Sequence, residues 1–148
     1  MKRVGIFTAT RWEYAAVRRI LPDGSAHRYG RARCFVGRRG RCEVVVAQTG
    51  VGTEKAAAAC RDVLRGHPLD LAVSAGLACA LVPAHVGDLL VGTDVRMEAD
   101  DHEASEHVKW LCGGGMVAAA VRGAEQAGLP VKTGSFVTAP RILWHQAE

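Results

Sequence analysis

Cys42-Glu43-Val44-Val45-Val46-Ala47-Gln48 runs directly into Thr49-Gly50-Val51-Gly52, and from there into Thr53-Glu54-Lys55 and the alanine-rich stretch Ala56 to Leu64. The first segment is short, apolar and rich in β-branched residues, which is the pattern of a strand. Two glycines then let the backbone turn tightly and present amide groups at the start of a helix, an arrangement that attracts anions. Thr53 is placed to cap that helix, with Glu54 in its favourable first turn. The alanines let the helix approach a sheet closely. Leu69 to Ser74 is the next apolar strand, so this stretch predicts strand, helix and strand in succession.

Working outward, Arg3 to Thr8 is another apolar run, read as a buried strand. Glu13 to Leu21 puts Tyr14, Val17, Ile20 and Leu21 on one helical face, and Pro22-Asp23-Gly24 ends that helix. Arg33 to Gly37 pairs with Cys42 to Gln48 through a turn at Arg38-Arg39-Gly40. Pro83-Ala84-His85-Val86-Gly87 turns into a strand from Asp88 to Asp94. Gly113-Gly114-Gly115 opens a helix from Met116 to Gln126, ended by Gly128 and Pro130, and Val131 to Thr138 is the last strand. Strands alternating with helices, in apolar runs instead of strict alternation, predict an α/β sheet buried on both faces. The whole chain, 1–148, is expected to form a single domain.

With 49% hydrophobic and 23% charged residues, the composition is that of a globular protein with a core. No apolar run approaches the ~18 residues of a membrane helix. The apolar stretch after Met1-Lys2-Arg3 is too short for a signal peptide and is interrupted by Arg11 and Glu13, which points to a cytoplasmic protein. The net charge is +4, and basic residues concentrate early, in Arg28, Arg31, Arg33, Arg38, Arg39 and Arg41. Without a nucleic-acid-binding motif or interleaved aromatics, these read as the solvated face of a hairpin. Cys34, Cys42, Cys60, Cys79 and Cys112 are odd in number and form no C-x-x-C pair, which speaks against a disulfide framework and a zinc site. Most are expected to be buried thiols.

Each candidate motif has a functional and a packing interpretation. Gly50 and Gly52 can bind an anion or simply make a tight strand-to-helix turn. No Lys-Ser/Thr follows at Walker spacing, and Lys55 holds the third position of a G-x-G-x-x-G pattern, so a dinucleotide-binding domain is disfavoured. Ser74-Ala75-Gly76-Leu77-Ala78 follows a strand, where ligands gather in open α/β sheets, and its small residues also suit close packing. Glu13, at the start of a helix after the first strand, can orient a water or bind a sugar hydroxyl, or can be an ordinary first-turn glutamate. Asp100-Asp101-His102 with Glu103, Glu106 and His107 lacks a metal-ligand spacing and reads as a solvated polar loop. Cys112 reads as a structural thiol, and Trp12, Trp110 and Trp144 as packing residues.

Taken jointly, Val4-Gly5-Ile6 with Glu13, Thr49-Gly50-Val51-Gly52, Ser74 to Leu81, Val86-Gly87-Asp88-Leu89-Leu90-Val91 and Gly134-Ser135-Phe136-Val137-Thr138 resemble one family. It is the nucleoside phosphorylase and methylthioadenosine/S-adenosylhomocysteine nucleosidase superfamily. Ser74 to Ala78 looks closest to the hopanoid-associated phosphorylase branch, whose proposed substrate is an adenosyl-hopane. The resemblance implies a mixed central β-sheet flanked by helices. It also implies cleavage of the N-glycosidic bond of a purine nucleoside, an adenosine derivative, by phosphate or water. Glu13 matches the residue that orients the attacking water. Thr8, Gly50 and Gly52 fall in the substrate-binding region, Gly76, Leu77 and Ala78 match the loop beside the ribosyl group and base, and Ile142 and Leu143 match the apolar lining of the base pocket. The partners implied are a small-molecule nucleoside and further copies of the chain in a homo-oligomer, with no nucleic acid, no membrane span, no metal and no cofactor; phosphate is the candidate co-substrate.

The chain departs from the family pattern in three places. Cys79 and Ala80 replace two glycines of the nucleosidase loop, which restricts the backbone there. Thr8 and Thr10 stand where many phosphorylases carry a glycine-rich phosphate loop, which favours hydrolysis or another phosphate site. The Met-Glu motif that grips the ribose hydroxyls, and the Asp that protonates the base, would fall past Glu148. The chain is therefore expected to represent the N-terminal portion of the fold without its C-terminal elements. The alternative to an enzyme is a catalytically impaired homologue that binds only a nucleoside or a partner subunit.

Overall fold

The computed structural model of the chain describes residues 1–97 and 109–139. These gather into two compact units, Met1–Cys79 and the part from Ala80 onward. Among the described residues no helix is long and apolar enough to cross a membrane.

The first unit runs β1 (Lys2–Thr8), α1 (Arg11–Arg18), β2 (Ser25–Tyr29), β3 (Ala32–Arg39), β4 (Cys42–Gln48), α2 (Thr53–Gly66) and β5 (Leu71–Ser74). Its five strands form one mixed sheet in the order β2-β3-β4-β1-β5. β4, β1 and β5 are parallel, while β2, β3 and β4 are antiparallel neighbours. The valine run of β4 is explained by cover on both faces. Val45 and Ala47 pack with Phe7, Ala32 and Cys34 against Ala59 and Val63 of α2. Val44 and Val46 pack with Phe35 against Tyr14 of α1 and Leu21. Fully burying a valine side chain contributes roughly 1.5–3 kcal/mol, so this strand and its two helices are the stable centre of the unit.

Several local expectations are corrected. α1 begins at Arg11, is capped by Thr10, and ends at Arg18, short of the expected Leu21. Successive turns follow, with the Ile20 and Leu21 amides donating to the Val17 and Arg18 carbonyls. Helical phase is lost there, so Leu21 turns inward while Ile20 is exposed. Gly52, not Thr53, is the N-cap of α2, at φ +104°. Side-chain-bearing residues rarely adopt that angle, so the entry into α2 requires glycine. β2 was not apparent in the sequence, because Ser-Ala-His-Arg-Tyr is an edge strand with no apolar run. The six hairpin arginines are all exposed, and the Arg33 guanidinium lies 5.2 Å from the centre of the Tyr14 ring.

The second unit contains β6 (Leu89–Met97), β7 (Lys109–Leu111), α3 (Gly114–Gln126) and β8 (Val131–Thr138), with sheet order β7-β6-β8. β6 and β8 are parallel, with a register irregularity between Gly92 and Asp94. There the buried Asp94 carboxylate accepts from Ser135 Oγ at 2.9 Å and Thr93 Oγ1 at 3.1 Å, with Arg96 Nε at 3.3 Å and Lys109 Nζ at 3.6 Å. The Ser135 hydroxyl above all, helped by Thr93, Arg96 and Lys109, holds this carboxyl below the usual range against the opposing effect of burial. The three strands are thus tied through one carboxylate.

Candidate functional site

The carboxyl ends of β4, β1 and β5 lie side by side, and the loops beyond them are stitched to β1. The Thr49 amide donates to the Thr8 carbonyl at 2.8 Å, and the Gly50 amide to the Ala9 carbonyl at 3.0 Å. On the other side the Ala75 amide donates to the Phe7 carbonyl at 2.9 Å. Gly50, at φ +86°, lies under the aliphatic stem of Lys55. This brings Thr49 to Gly52, Ala9 to Glu13 and Ala75 to Leu77 to one end of the sheet, the place where open α/β sheets hold ligands.

Glu13 is the chemical centre of this group. Thr10 and Glu13 form a reciprocal capping box at the start of α1. The Thr10 amide donates to Glu13 Oε2 at 2.7 Å and the Thr10 hydroxyl to the same oxygen at 3.0 Å. The Thr10 hydroxyl oxygen in turn accepts from the Glu13 amide at 3.3 Å. The other carboxylate oxygen, Oε1, accepts from the Leu77 amide at 2.8 Å, across 64 positions of sequence. Partial burial alone would push this carboxyl up; the donors from Leu77 and Thr10, helped by the Ala9 amide, outweigh it and hold the carboxyl below the usual range. Glu13 is therefore an ionised, oriented acceptor.

Gly76 lies against this carboxylate: a Cβ there would come within 2.5 Å of Glu13 Oε1. Leu77 and Ala78 are exposed beyond it, and Gly52 is exposed at the mouth of α2. Thr8 is placed differently. It is only 1% exposed, and its hydroxyl donates inward to the Ala47 carbonyl at 3.2 Å, so it contributes a backbone carbonyl to the loop instead of a side chain to a ligand. Ile142 and Leu143 lie outside the described residues, as do the acidic stretch from Glu98 to His107 and Trp144. Trp12, expected to pack, is 70% exposed beside Glu13, with the Arg11 guanidinium 4.5 Å from its ring centre. Cys79 and Cys112 are exposed, against the expectation of buried thiols, whereas Cys34 is buried. Thr10 is the site residue missing from the sequence reading. Its signal was present, since Thr10-Arg11-Trp12-Glu13 is the T-x-x-E pattern of a capping box.

The Val86-Gly87-Asp88 motif makes a turn. Asp88 accepts from the His85 amide at 3.1 Å and from Lys132 Nζ at 2.7 Å, joining the starts of β6 and β8. The Lys132 bond first, and then the His85 amide, keep its carboxyl below the usual range.

The sequence profile of the Phosphorylase superfamily matches residues 3–148. The chain belongs to this superfamily. Among solved structures, the 5′-methylthioadenosine/S-adenosylhomocysteine nucleosidase of Neisseria meningitidis superposes with a TM-score of 0.84 at 24% identity, over 95% of this chain and 66% of that one. The Helicobacter pylori nucleosidase of the same name gives 0.87 at 18% identity, over 99% and 68%. A futalosine hydrolase mutant of Helicobacter pylori gives 0.86 at 16% identity, over 99% and 72%. No curated protein sequence matches the chain. The chain thus spans about two thirds of the length of the superfamily structures it resembles. It shares their α/β fold, with a mixed central sheet flanked by helices.

Proposed function

We propose that the chain carries the nucleophile side of an enzyme that cleaves the N-glycosidic bond of a purine nucleoside, with water as the favoured nucleophile. The observation that carries this reading is the Glu13 carboxylate, held ionised at the carboxyl ends of three parallel strands by donors from Thr10 and Leu77. In such a cleavage positive charge grows on the ribosyl carbon C1′ as its bond to the base nitrogen breaks. A water oxygen bonds to C1′, the base leaves with the electron pair, and a proton from water ends on the base. A fixed carboxylate can align the water through one hydrogen bond and stabilise the growing charge. Its lowered proton affinity suits an orienting role better than outright proton abstraction.

Water is favoured over phosphate by local detail. The Thr8 hydroxyl is committed to Ala47 and Thr10 to Glu13, so neither is free to cradle an anion. The compared structures are named as nucleosidases and a hydrolase, and a further solved structure, of a Helicobacter pylori nucleosidase mutant, holds 5′-methylthioadenosine in its active site. On this reading Gly76 to Ala78 border the ribosyl group, and Ile142 and Leu143 the base.

The test is release of free base, followed by chromatography, from 5′-methylthioadenosine, 5′-deoxyadenosine, adenosine and inosine, with and without phosphate. Release without phosphate that is lost in Glu13→Gln supports the reading. Release that requires phosphate would replace water with phosphorolysis. No release from a folded chain would favour the catalytically impaired alternative, and a nucleoside titration would then show whether it binds.

A further inference from the structure

The acceptor capacity of Glu13 can be counted. An ionised carboxylate offers about four lone-pair positions, two on each oxygen. Oε2 accepts both the amide and the hydroxyl of Thr10, which accounts for its pair. Oε1 accepts the Leu77 amide; the Ala9 amide favours the charged form without reaching hydrogen-bond geometry, so among the described residues one position stays open, on the oxygen that lies against Gly76. We infer that Thr10 is a positioning residue that commits Glu13 Oε2 and presents Oε1 as a single-acceptor site for the O–H of the nucleophile. This rests on the reading of Glu13 given above. Its consequence is specific: one water or one sugar hydroxyl can be held there, in one direction, because the Thr10 hydroxyl fills the second position on Oε2.

The Thr10 and Leu77 amides each hold one carboxylate oxygen, and the Thr10 hydroxyl adds the second donor that fills Oε2. In this structure the hydroxyl performs two tasks, accepting from the Glu13 amide and donating to its carboxylate. The loop at Gly76 and Leu77 completes the clamp, so the start of α1 and the loop after β5 are joined through this side chain.

The test does not require turnover. Glutamate carboxyl carbons are titrated by carbon NMR in the complete chain, with the Glu13 signal assigned by its loss in Glu13→Gln. In the unaltered protein, the Thr10 and Leu77 amide protons should shift with the same midpoint as the Glu13 carboxyl. Amide shifts that ignore that midpoint would overturn the clamp without any variant. Thr10→Val removes the hydroxyl and keeps the shape, so the Glu13 midpoint should move upward, and Thr10→Ser should restore it. If Thr10→Val proves folded with an unchanged midpoint, the hydroxyl does not hold the carboxylate and the inference fails. If Thr10→Val does not fold, the decision passes to Thr10→Ser and the amide midpoints. Should base release be measurable, Thr10→Val should lower kcat with KM little changed, since the lost interaction orients the attack instead of binding substrate. Absence of base release would refute the proposed reaction and leave this titration to decide the clamp.

Discussion

Replacing Gly76 with alanine tests the site most directly. The added Cβ would stand 2.5 Å from Glu13 Oε1 and 3.0 Å from its carboxyl carbon, with ordinary contact beginning near 3.4 Å. Gly76 has no positive φ, so its backbone can accept alanine and the clash alone sets the cost. Relief requires a separation about 0.9 Å greater. The carboxylate can swing because it ends a flexible side chain, but a swing of that size breaks the 2.8 Å bond from the Leu77 amide. A hydrogen bond to a charged group contributes about 1.5–3 kcal/mol, and this exposed one belongs at the lower end. Gly76→Ala should therefore lower Tm by about 3–6 °C, taking ~1.5 kcal/mol and the slope expected for a chain of this length. Function should suffer more, because a ~1 Å misplacement of a reacting group can cost about 100-fold in rate. The assays are thermal unfolding by circular dichroism, the Leu77 amide shift, and base release. An unchanged Tm together with an unmoved Leu77 amide would refute the reasoning, because it would mean that the loop and Glu13 are not in contact.

Val45→Ala removes two buried methyl groups from the centre of β4 and should cost about 2 kcal/mol or more by denaturant unfolding; a loss below 0.5 kcal/mol, taken as about the scatter of surface substitutions, would contradict the placement of the core. Because the Glu13 carboxyl is held below its usual range, it adds stability that is complete above that range and disappears as pH falls through the lower folded value. Glu13→Gln should consequently flatten the acid limb of the Tm–pH curve, and identical acid limbs in the two proteins would count against the clamp. Burial pushes the Cys34 thiol up to about 11, so alkylation followed by mass spectrometry should mark the exposed Cys79 and Cys112 first and reach Cys34 only on unfolding.

Much of this architecture was legible from local pattern. The valine run of β4, the glycines after it and the alanines of α2 each constrain only their neighbours, and those constraints agree with the fold. Two strands escaped notice for a physical reason. β2 lies at the sheet edge with its first four residues exposed, and β7 is only three exposed residues long, so neither carries an apolar signature. Pattern alone overruns the end of α1, because apolar residues continue to Leu21 although the helix stops at Arg18. The capping box is a different kind of miss: Thr10 and Glu13 are three positions apart, so their pairing was readable in the chain.

The sequence by itself determined that Glu13 lies at the start of a helix after a strand, that glycines follow β4, and that small residues follow β5. These are local matters of propensity, capping and turn geometry. It could not say which oxygen of Glu13 is occupied, that the Leu77 amide reaches it, or that Thr8 turns its hydroxyl inward. Those outcomes depend on β4, β1 and β5 lying side by side, which brings groups 64 residues apart to within 2.8 Å. Only tertiary structure fixes them, because a hydrogen bond is decided by distance and direction in space and not by order along the chain.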